Sequence, residues 1–203
     1  MHSELVNMDC MEYMRQFPDK FFDLACVDPP YGIGAGKMTL GKGKRKKYSA
    51  GKEWDSSIPD DEYFDELQRV SKEQIIWGGN YFDLPPTKCF LIWDKKNDDR
   101  DFAECELAWT SLDSVARMFR MRPQNMDGGK QHPTQKPIQL YRWIFKNYAQ
   151  PGFKILDTHL GSGSSRIAAH DMKCDFWSCE IDPEYVSTAE KRFNQYASAP
   201  MMF

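Results

Sequence analysis

No stretch of this chain approaches the roughly 18 consecutive apolar residues that a helical bilayer crossing needs, so no membrane partner is expected. The opening residues, Met1-His2-Ser3-Glu4-Leu5, have neither the basic start nor the apolar core of a secretion signal. No two of the six cysteines stand in Cys-x-x-Cys spacing, and the four histidines add no zinc pattern, so no metal site is expected. A disulfide framework does not suit a cytosolic chain of this size. Cys10, Cys26, Cys89, Cys105, Cys174 and Cys179 are read mostly as small core residues. Basic excess is also missing: the net charge of −3 argues against general coating of a polyanion. Repeats and low-complexity linkers are absent. With 203 residues, 41% of them hydrophobic and 28% charged, the expectation is one cytoplasmic globular domain over 1–203.

Local charge says more than the total. Between residues 37 and 52 stand Lys37, Lys42, Lys44, Arg45, Lys46, Lys47 and Lys52, with no acid among them. Gly41, Gly43 and Gly51 interrupt the run, and residues 32–57 read as a flexible basic loop. A second acid-free stretch carries Arg117, Arg120 and Arg122 between Met118, Phe119 and Met121. It reads equally as a phosphate-contacting patch or as a half-buried strand with its polar face out.

Apolar runs alternate with helical periods. Strands are predicted over 4–8, 21–27, 74–77, 90–93, 153–157 and 176–180. Residues 104–112 and 114–121 are expected to form two strands of a meander. Helices are predicted over 10–17, from an Asp60 or Asp61 cap to about Lys72, from Pro137 as first-turn residue through Tyr148, over 165–171, and over 183–196. Strands alternating with helices imply an α/β fold with a mostly parallel sheet. Ligands in such sheets bind where strands end. Three polar motifs are expected there: Asp28-Pro29-Pro30-Tyr31, Asp157 through Gly163, and Glu180-Ile181-Asp182.

Each motif has a chemical and a purely structural reading. In Asp157-Thr158-His159-Leu160-Gly161-Ser162-Gly163 the glycines permit close backbone approach, either of a ligand or of a neighbouring element. Glu180 follows at the end of the next strand, where an acid holds ribose hydroxyls in nucleoside-binding α/β folds. A dinucleotide site would want a third glycine near Arg166, which disfavours a nicotinamide-dependent oxidoreductase. Asp28-Pro29-Pro30-Tyr31 lacks two backbone donors and has two fixed φ angles. It is either an ordinary proline turn or a rigid acceptor set for a planar, amino-bearing ring, with Tyr31 to stack on it.

Taken together, Asp28-Pro29-Pro30-Tyr31, His132-Pro133-Thr134-Gln135-Lys136-Pro137 and Leu156-Asp157-(x)3-Gly161-Ser162-Gly163 resemble the amino-methyltransferases of DNA, which act on N6 of adenine or N4 of cytosine. The order, catalytic turn first and glycine turn last, is similar to the circularly permuted β subgroup. The resemblance implies a Rossmann-like S-adenosylmethionine-dependent methyltransferase fold, a mostly parallel sheet with helices on both faces. It implies S-adenosylmethionine as cofactor, and DNA, double- or single-stranded, as partner; a homodimer is left open. In this reading Asp28, Pro29, Pro30 and Tyr31 hold the target base, and residues 76–81 line its pocket. Asp9 bonds the cofactor's adenine amino group, with Cys10 beside the ring. Thr134 and Lys136 contact the methionine end or brace the turn that does. Asp157, Leu160, Gly161, Ser162, Gly163 and Ser164 cradle the methionine part. Glu180 binds the ribose, with Asp182 next to it. The basic loop, Arg120 and Arg122 are the expected DNA contacts.

The chain departs from the family pattern in two places. Thr158-His159 stands where Pro-Phe is usual, so His159 either lines the cofactor pocket or is a local structural group. The region of about 95–130, where target recognition is expected, is reduced. The Asp-Pro-Pro-Tyr form points to N6-adenine over N4-cytosine, with RNA as a further rival substrate. A C5-cytosine route is disfavoured because no cysteine follows a proline. The remaining rival is a catalytically silent nucleic-acid-binding subunit, which the intact Asp9, Asp28, Tyr31, Gly161 and Gly163 oppose.

Overall fold

The computed structural model describes residues 1–34, 55–97, 103–125 and 135–199. In chain order it contains β1 (Ser3–Asn7), α1 (Cys10–Met14), β2 (Phe22–Val27), α2 (Asp61–Val70), β3 (Ser71–Trp77), β4 (Leu91–Asp94), β5 (Cys105–Thr110), β6 (Arg117–Arg120), α3 (Ile138–Tyr148), β7 (Lys154–Asp157), α4 (Ser164–Asp171), β8 (Asp175–Glu180) and α5 (Pro183–Ala197). The strands join one sheet in the order β1-β8-β7-β2-β3-β5-β4-β6. Among the described residues, only the two pairings that β5 makes, with β3 and with β4, are antiparallel. This is the expected α/β fold with a mostly parallel sheet.

The period-2 pattern of the strands sorts side chains onto two cores. Leu24, Cys26, Ile75, Trp77 and Ile155 face α3, α4 and α5 through Ile144, Phe145, Ile167, Ala168 and Phe193. Ala25, Val27, Ile76 and Leu156 face α1 and α2 through Tyr13, Met14, Tyr63, Phe64, Leu67 and Val70. Both faces of the sheet are therefore covered, which is why its central strands read as continuous apolar runs. On α2 the apolar stripe Tyr63, Phe64, Leu67 and Val70 is buried, each side chain contributing about 1.5–3 kcal/mol. Asp60 caps that helix by accepting from the Tyr63 N–H, as expected from the sequence.

Three local expectations are corrected. Residues 104–121 do not form a meander: β6 pairs in parallel with β4, not with β5. Both edges of β5 are already taken by β3 and β4, so β6 can add only at the free edge of β4. Pro137 is the N-cap of α3, with ψ 143°, and not its first helical residue. The first helix stops at Met14, where Arg15 caps it, rather than running to Phe17. Residues 117–120 form a strand, β6. Arg117, Met118 and Arg120 are all exposed, and only Phe119 tucks in, against Trp143 at 5.8 Å.

The topology sets the site. β1, β8, β7, β2 and β3 run the same way, so Asp9, Glu180, Asp157, Asp28 and Gly78 follow their carboxyl ends along one edge of the sheet. From β7 the chain crosses outward to β8, and from β2 it crosses the other way to β3. The crevice between β7 and β2 is thus the point where the winding reverses, the usual ligand position in such sheets. Asp157 and Asp28 flank it.

Candidate active site

On the β7 side, acids and backbone donors are tied into one unit. Glu180 accepts from the Gly161 N–H at 2.9 Å and from the Asp182 N–H at 3.0 Å, which fixes the glycine turn against the end of β8. Gly161 and Gly163 have φ of +52° and +75°, a region that side chains rarely adopt. A Cβ at Gly161 would meet nothing closer than the His159 carbonyl at 4.0 Å, so this turn opens onto free space rather than onto packed protein. Of the two readings of the glycine turn, the open cradle is the one the geometry favours. Asn7 donates from Nδ2 to the carbonyls of Glu180 and Ile181, both at 2.9 Å, and so draws the ends of β1 and β8 together. Asp9 sits just beyond, exposed, and caps α1 through Oδ1. Asp182 likewise caps α5. Leu160 is buried, its N–H bonded to the Cys179 carbonyl at 3.2 Å. Arg192 bonds the Ser162 carbonyl at 2.7 Å and the Ser164 hydroxyl at 3.0 Å, steadying the far side of the turn.

Asp157 is 2% exposed and accepts from Ser165 Oγ at 2.5 Å and from the His159 N–H at 3.1 Å. Burial pushes its carboxyl up to about 7, against the pull of those two bonds. His159 hydrogen-bonds through Nδ1 to Thr158 Oγ1 at 2.9 Å, and that hydroxyl meets Tyr63 OH at 2.7 Å. Burial lowers the imidazole to about 4, so His159 is neutral at physiological pH. Burial and the neighbouring Asp9 raise Cys10 to about 11, which leaves it a thiol and not a nucleophile.

These two shifts have opposite effects on stability. Asp157 binds its proton more tightly folded than unfolded, so stability falls as pH rises from about 4 to 7, by roughly 4 kcal/mol at full extent. His159 binds its proton less tightly folded, so stability rises between about 4 and 6.5. The two nearly cancel in the native chain. Asp157→Asn is expected to remove the falling limb and leave the rising one exposed. Urea unfolding at pH 4.5 and 6.5 checks this: the variant should gain stability between the two, relative to the wild type, by a few kcal/mol.

On the β2 side the chain builds a buried charge cluster. Asp28 accepts from Tyr31 OH at 2.5 Å through Oδ1 and pairs with Lys136 Nζ at 2.5 Å through Oδ2. Lys136 also donates to Tyr31 OH at 3.0 Å and pairs with Glu106 at 3.0 Å. Glu106 is held by Lys95 at 2.6 Å through its other oxygen. Two acids and two bases balance. Burial pulls the Lys136 ammonium down, but Asp28 and Glu106 outweigh it and hold the ammonium above its ordinary value. Burial would raise Glu106, yet Lys136 and Lys95 hold it at about 2. For Asp28, burial wins over the pull of Lys136 and pushes the carboxyl up.

Around this cluster stand three aromatic rings. Tyr31 stacks on Tyr81, with centroids 5.1 Å apart and planes 15° apart, and Tyr81 is 44% exposed. Lys136 Nζ lies 5.1 Å from the buried Trp77 ring. Asp55, 2% exposed, accepts from the N–H groups of Tyr31 at 2.7 Å and Gly32 at 2.9 Å and so clamps the end of the proline turn.

The sequence-predicted residues thus fall into two adjacent groups, one around Asp157 and Glu180 and one around Asp28. Lys136 belongs to the second: its ammonium bonds Asp28, Glu106 and Tyr31, partners that neither of its two expected roles had named. Arg120 and Arg122 stand at the carboxyl end of β6, on the same edge as Asp28 but four strand spacings away, about 19 Å. Arg120 pairs there with Asp94 at 3.2 Å and is 60% exposed. Lys37, Lys42, Lys44, Arg45, Lys46, Lys47, Lys52 and Thr134 lie outside the described residues. Sequence reasoning missed Glu106, Lys95 and Asp55. Glu106 is the second residue of an antiparallel strand, and that reversal brings the strand's start to the edge where the parallel strands end.

The DNA methylase family model for N6/N4 methyltransferases matches residues 92–191, a span that holds Glu106, Lys136, Asp157 and Glu180 but not Asp28. The type II methyltransferase M2.MboI of Moraxella bovis is 22% identical over 92% of this chain and 86% of its own length. Among solved structures, the complex of M1.HpyAVI with S-adenosylmethionine aligns with a TM-score of 0.63 at 18% identity, over 94% of this chain and 98% of that one. PvuII DNA methyltransferase, described as cytosine-N4-specific, aligns with a TM-score of 0.65 at 14% identity, over 100% of this chain and 89% of that one. Both alignments run over nearly all of this chain, and the fold they share with it is that of the S-adenosylmethionine-dependent methyltransferases. A family match over the glycine turn and Glu180, a relative aligned over most of both chains, and this fold beneath both groups of acids together support the amino-methyltransferases of DNA, the N6-adenine and N4-cytosine family, as the family of this chain.

Proposed function

We propose that the chain transfers a methyl group from S-adenosylmethionine to the exocyclic amino group of a DNA base, N6 of adenine. The observation that carries this reading is the placement of Asp28 and Asp157 on either side of the β7–β2 crevice. One supports an amino-bearing base, the other a cationic cofactor. The residues fit S-adenosylmethionine: an open glycine cradle at Gly161, acids at Asp157 and Glu180, and Asp9 at the end of β1. In this assignment Asp9 takes the adenine amino group with Cys10 beside the ring. Glu180 takes the ribose, with Asp182 next to it. Asp157 and Leu160 through Ser164 cradle the methionine part, with His159 against them. The cofactor supplies a methyl group on a positively charged sulfur.

The base enters flipped out or from a single strand. Asp28 and the Pro29 carbonyl accept its two N–H bonds, and Tyr31 stacks on the ring. These bonds draw the amino nitrogen toward tetrahedral geometry and free its lone pair. The nitrogen forms the new bond to carbon as the carbon–sulfur bond breaks, the pair leaving with sulfur. The nitrogen then gives up one proton, and Asp28 is its nearest acceptor. The site works by positioning and electrostatics. Arg120, Arg122 and the basic run from Lys37 to Lys52 are assigned to phosphates. The circularly permuted subgroup is supported by the motif order and by the pairing of β1 with β8, which brings both ends of the chain to one half of the sheet.

N4 of cytosine is the second reading, favoured by the likeness to the cytosine-N4-specific PvuII enzyme. One experiment separates them: incubation with labelled S-adenosylmethionine and a mixed-sequence unmethylated DNA, then mass spectrometry of the nucleosides. N6-methyladenine is expected. N4-methylcytosine would move the assignment to the second reading, and absence of label from DNA would overturn both.

A further inference from the structure

We propose that Lys136 and Glu106 are positioning residues for Asp28: Glu106 anchors Lys136, and Lys136 occupies Oδ2 of Asp28, so that an incoming amino group is received at Oδ1 in place of the Tyr31 hydroxyl. The inference rests on the reading that Asp28 receives the base.

The geometry is specific. Lys136 is 2% exposed in its side chain, whereas Asp28 and Glu106 keep 20% and 22%. The cation is thus the innermost member and the carboxylates lie toward the opening. A buried lysine with one carboxylate partner would be a plain ion pair. This one bonds three oxygens, on Asp28, Glu106 and Tyr31, which uses all three donors of an ammonium. Its direction is therefore fixed. Glu106 is itself fixed by Lys95 at 2.6 Å through the oxygen that Lys136 does not use. The chain Lys95–Glu106–Lys136–Asp28 links the second residue of β5 to the residue that follows β2.

This arrangement divides the two oxygens of Asp28. Oδ2 is bound by a permanent cation that a neutral amino group cannot displace cheaply. Oδ1 is bound by a phenol, and exchanging one neutral donor for another costs little. The base amino group is accordingly directed to Oδ1, and the displaced hydroxyl keeps Lys136 as a neighbour. Lys136 also favours the ionised form of Asp28 against burial. Besides Lys136, the ionisable groups acting on Asp28 are Glu106 from β5, Tyr31 from its own turn, Tyr141 from α3, Cys26 from β2 and Asp157 from β7. None of these others is a cation. Removing Lys136 therefore leaves mainly the Tyr31 hydrogen bond to oppose burial, and removing Glu106 takes away a repelling charge. The two changes have opposite signs for Asp28.

The test compares Lys136→Met, Lys136→Arg and Glu106→Gln with the wild type. Single-turnover methyl transfer to mixed-sequence DNA is followed from pH 5.5 to 9 at saturating labelled S-adenosylmethionine, and cofactor affinity is measured separately. Lys136→Met is expected to lose about 100-fold at pH 7, with its acid limb moved to higher pH so that rate is regained by about tenfold per pH unit. Lys136→Arg should restore the position of the limb. Glu106→Gln should lose about tenfold through a looser Lys136, with its acid limb moved the other way, to lower pH. All three should bind S-adenosylmethionine within about twofold of wild type if the ammonium has no cofactor role. A wild-type rate and pH profile in Glu106→Gln overturns the proposal, and so does a loss in Lys136→Met that is confined to cofactor affinity. If Lys136→Met does not fold, Lys136→Arg and Glu106→Gln decide alone. Asp28→Asn is run alongside. Turnover in that variant would sink the functional reading itself, whereas a dead Asp28→Asn beside wild-type Glu106→Gln would sink only this inference.

Discussion

Asp28→Ala is expected to reduce methyl transfer by about a thousandfold or more while leaving S-adenosylmethionine affinity within about twofold. The acid supplies an acceptor for the amino group, the charge that favours nitrogen pyramidalisation, and a place for the departing proton. Alanine removes all three. The cofactor side is held by bonds of its own, Glu180 to the Gly161 N–H and Asp157 to Ser165, which the substitution leaves in place. The change also releases Lys136 from one partner, but Glu106 and the Tyr31 hydroxyl remain to hold its ammonium. The fold should therefore survive, and a thermal melt next to the rate measurement separates lost chemistry from lost structure. Asp28→Asn refines the result. It keeps one acceptor oxygen but no charge, and should be as inactive as the alanine variant if charge dominates. Robust turnover in either variant would remove Asp28 from the chemistry.

Most of the frame is legible in the sequence itself. The short apolar runs ending in Asp28, Asp157 and Glu180 had to be parallel strands, because both of their faces are apolar and helical periods separate them. Parallel direction alone then puts those three acids on one edge. The Asp60 cap and the helix opened by Pro183 follow from local chemistry and were equally visible. The unreadable part begins where strand direction reverses. Residues 105–110 look the same in sequence whether they pair with β4, with β6 or with both, since strand pairing is a long-range choice and periodicity is local. That choice decides whether Glu106 lies at the site edge or at the opposite one. Lys95 and Asp55 were hidden for a related reason: each is a single charged residue in an irregular segment, and its burial depends on elements distant in sequence. Lys136 was found through a motif, yet its partners were not, because Asp28 and Glu106 lie 108 and 30 residues away.

Gly78→Ala is expected to cost methyl transfer about a hundredfold or more, with a stability loss of only about 1–3 kcal/mol. Gly78 has φ of +74° at the end of β3, a left-handed conformation that charges an alanine about 1–2 kcal/mol. Its missing side chain leaves the space that the Tyr31 ring fills: an added Cβ would overlap ring carbons Cδ1, Cε1 and Cζ. The ring has few ways to yield. Its hydroxyl is bound by Asp28 and Lys136, its face lies on Tyr81, and its backbone N–H is held by Asp55. Moving it therefore disturbs the base-stacking surface and the Asp28 bond together. Two neighbouring glycines serve as controls. At Gly79 a Cβ would strike the backbone of β5, with Trp109 N at 2.8 Å, so Gly79→Ala should act mainly through stability. At Gly161 a Cβ meets only open space, so beyond the left-handed strain it shares with Gly78, Gly161→Ala should act through cofactor affinity. Rate at saturating cofactor, cofactor affinity and melting temperature, measured on the three variants, should each single out a different glycine. If Gly78→Ala turns over normally despite its strain, the position of the Tyr31 ring is not what holds the base.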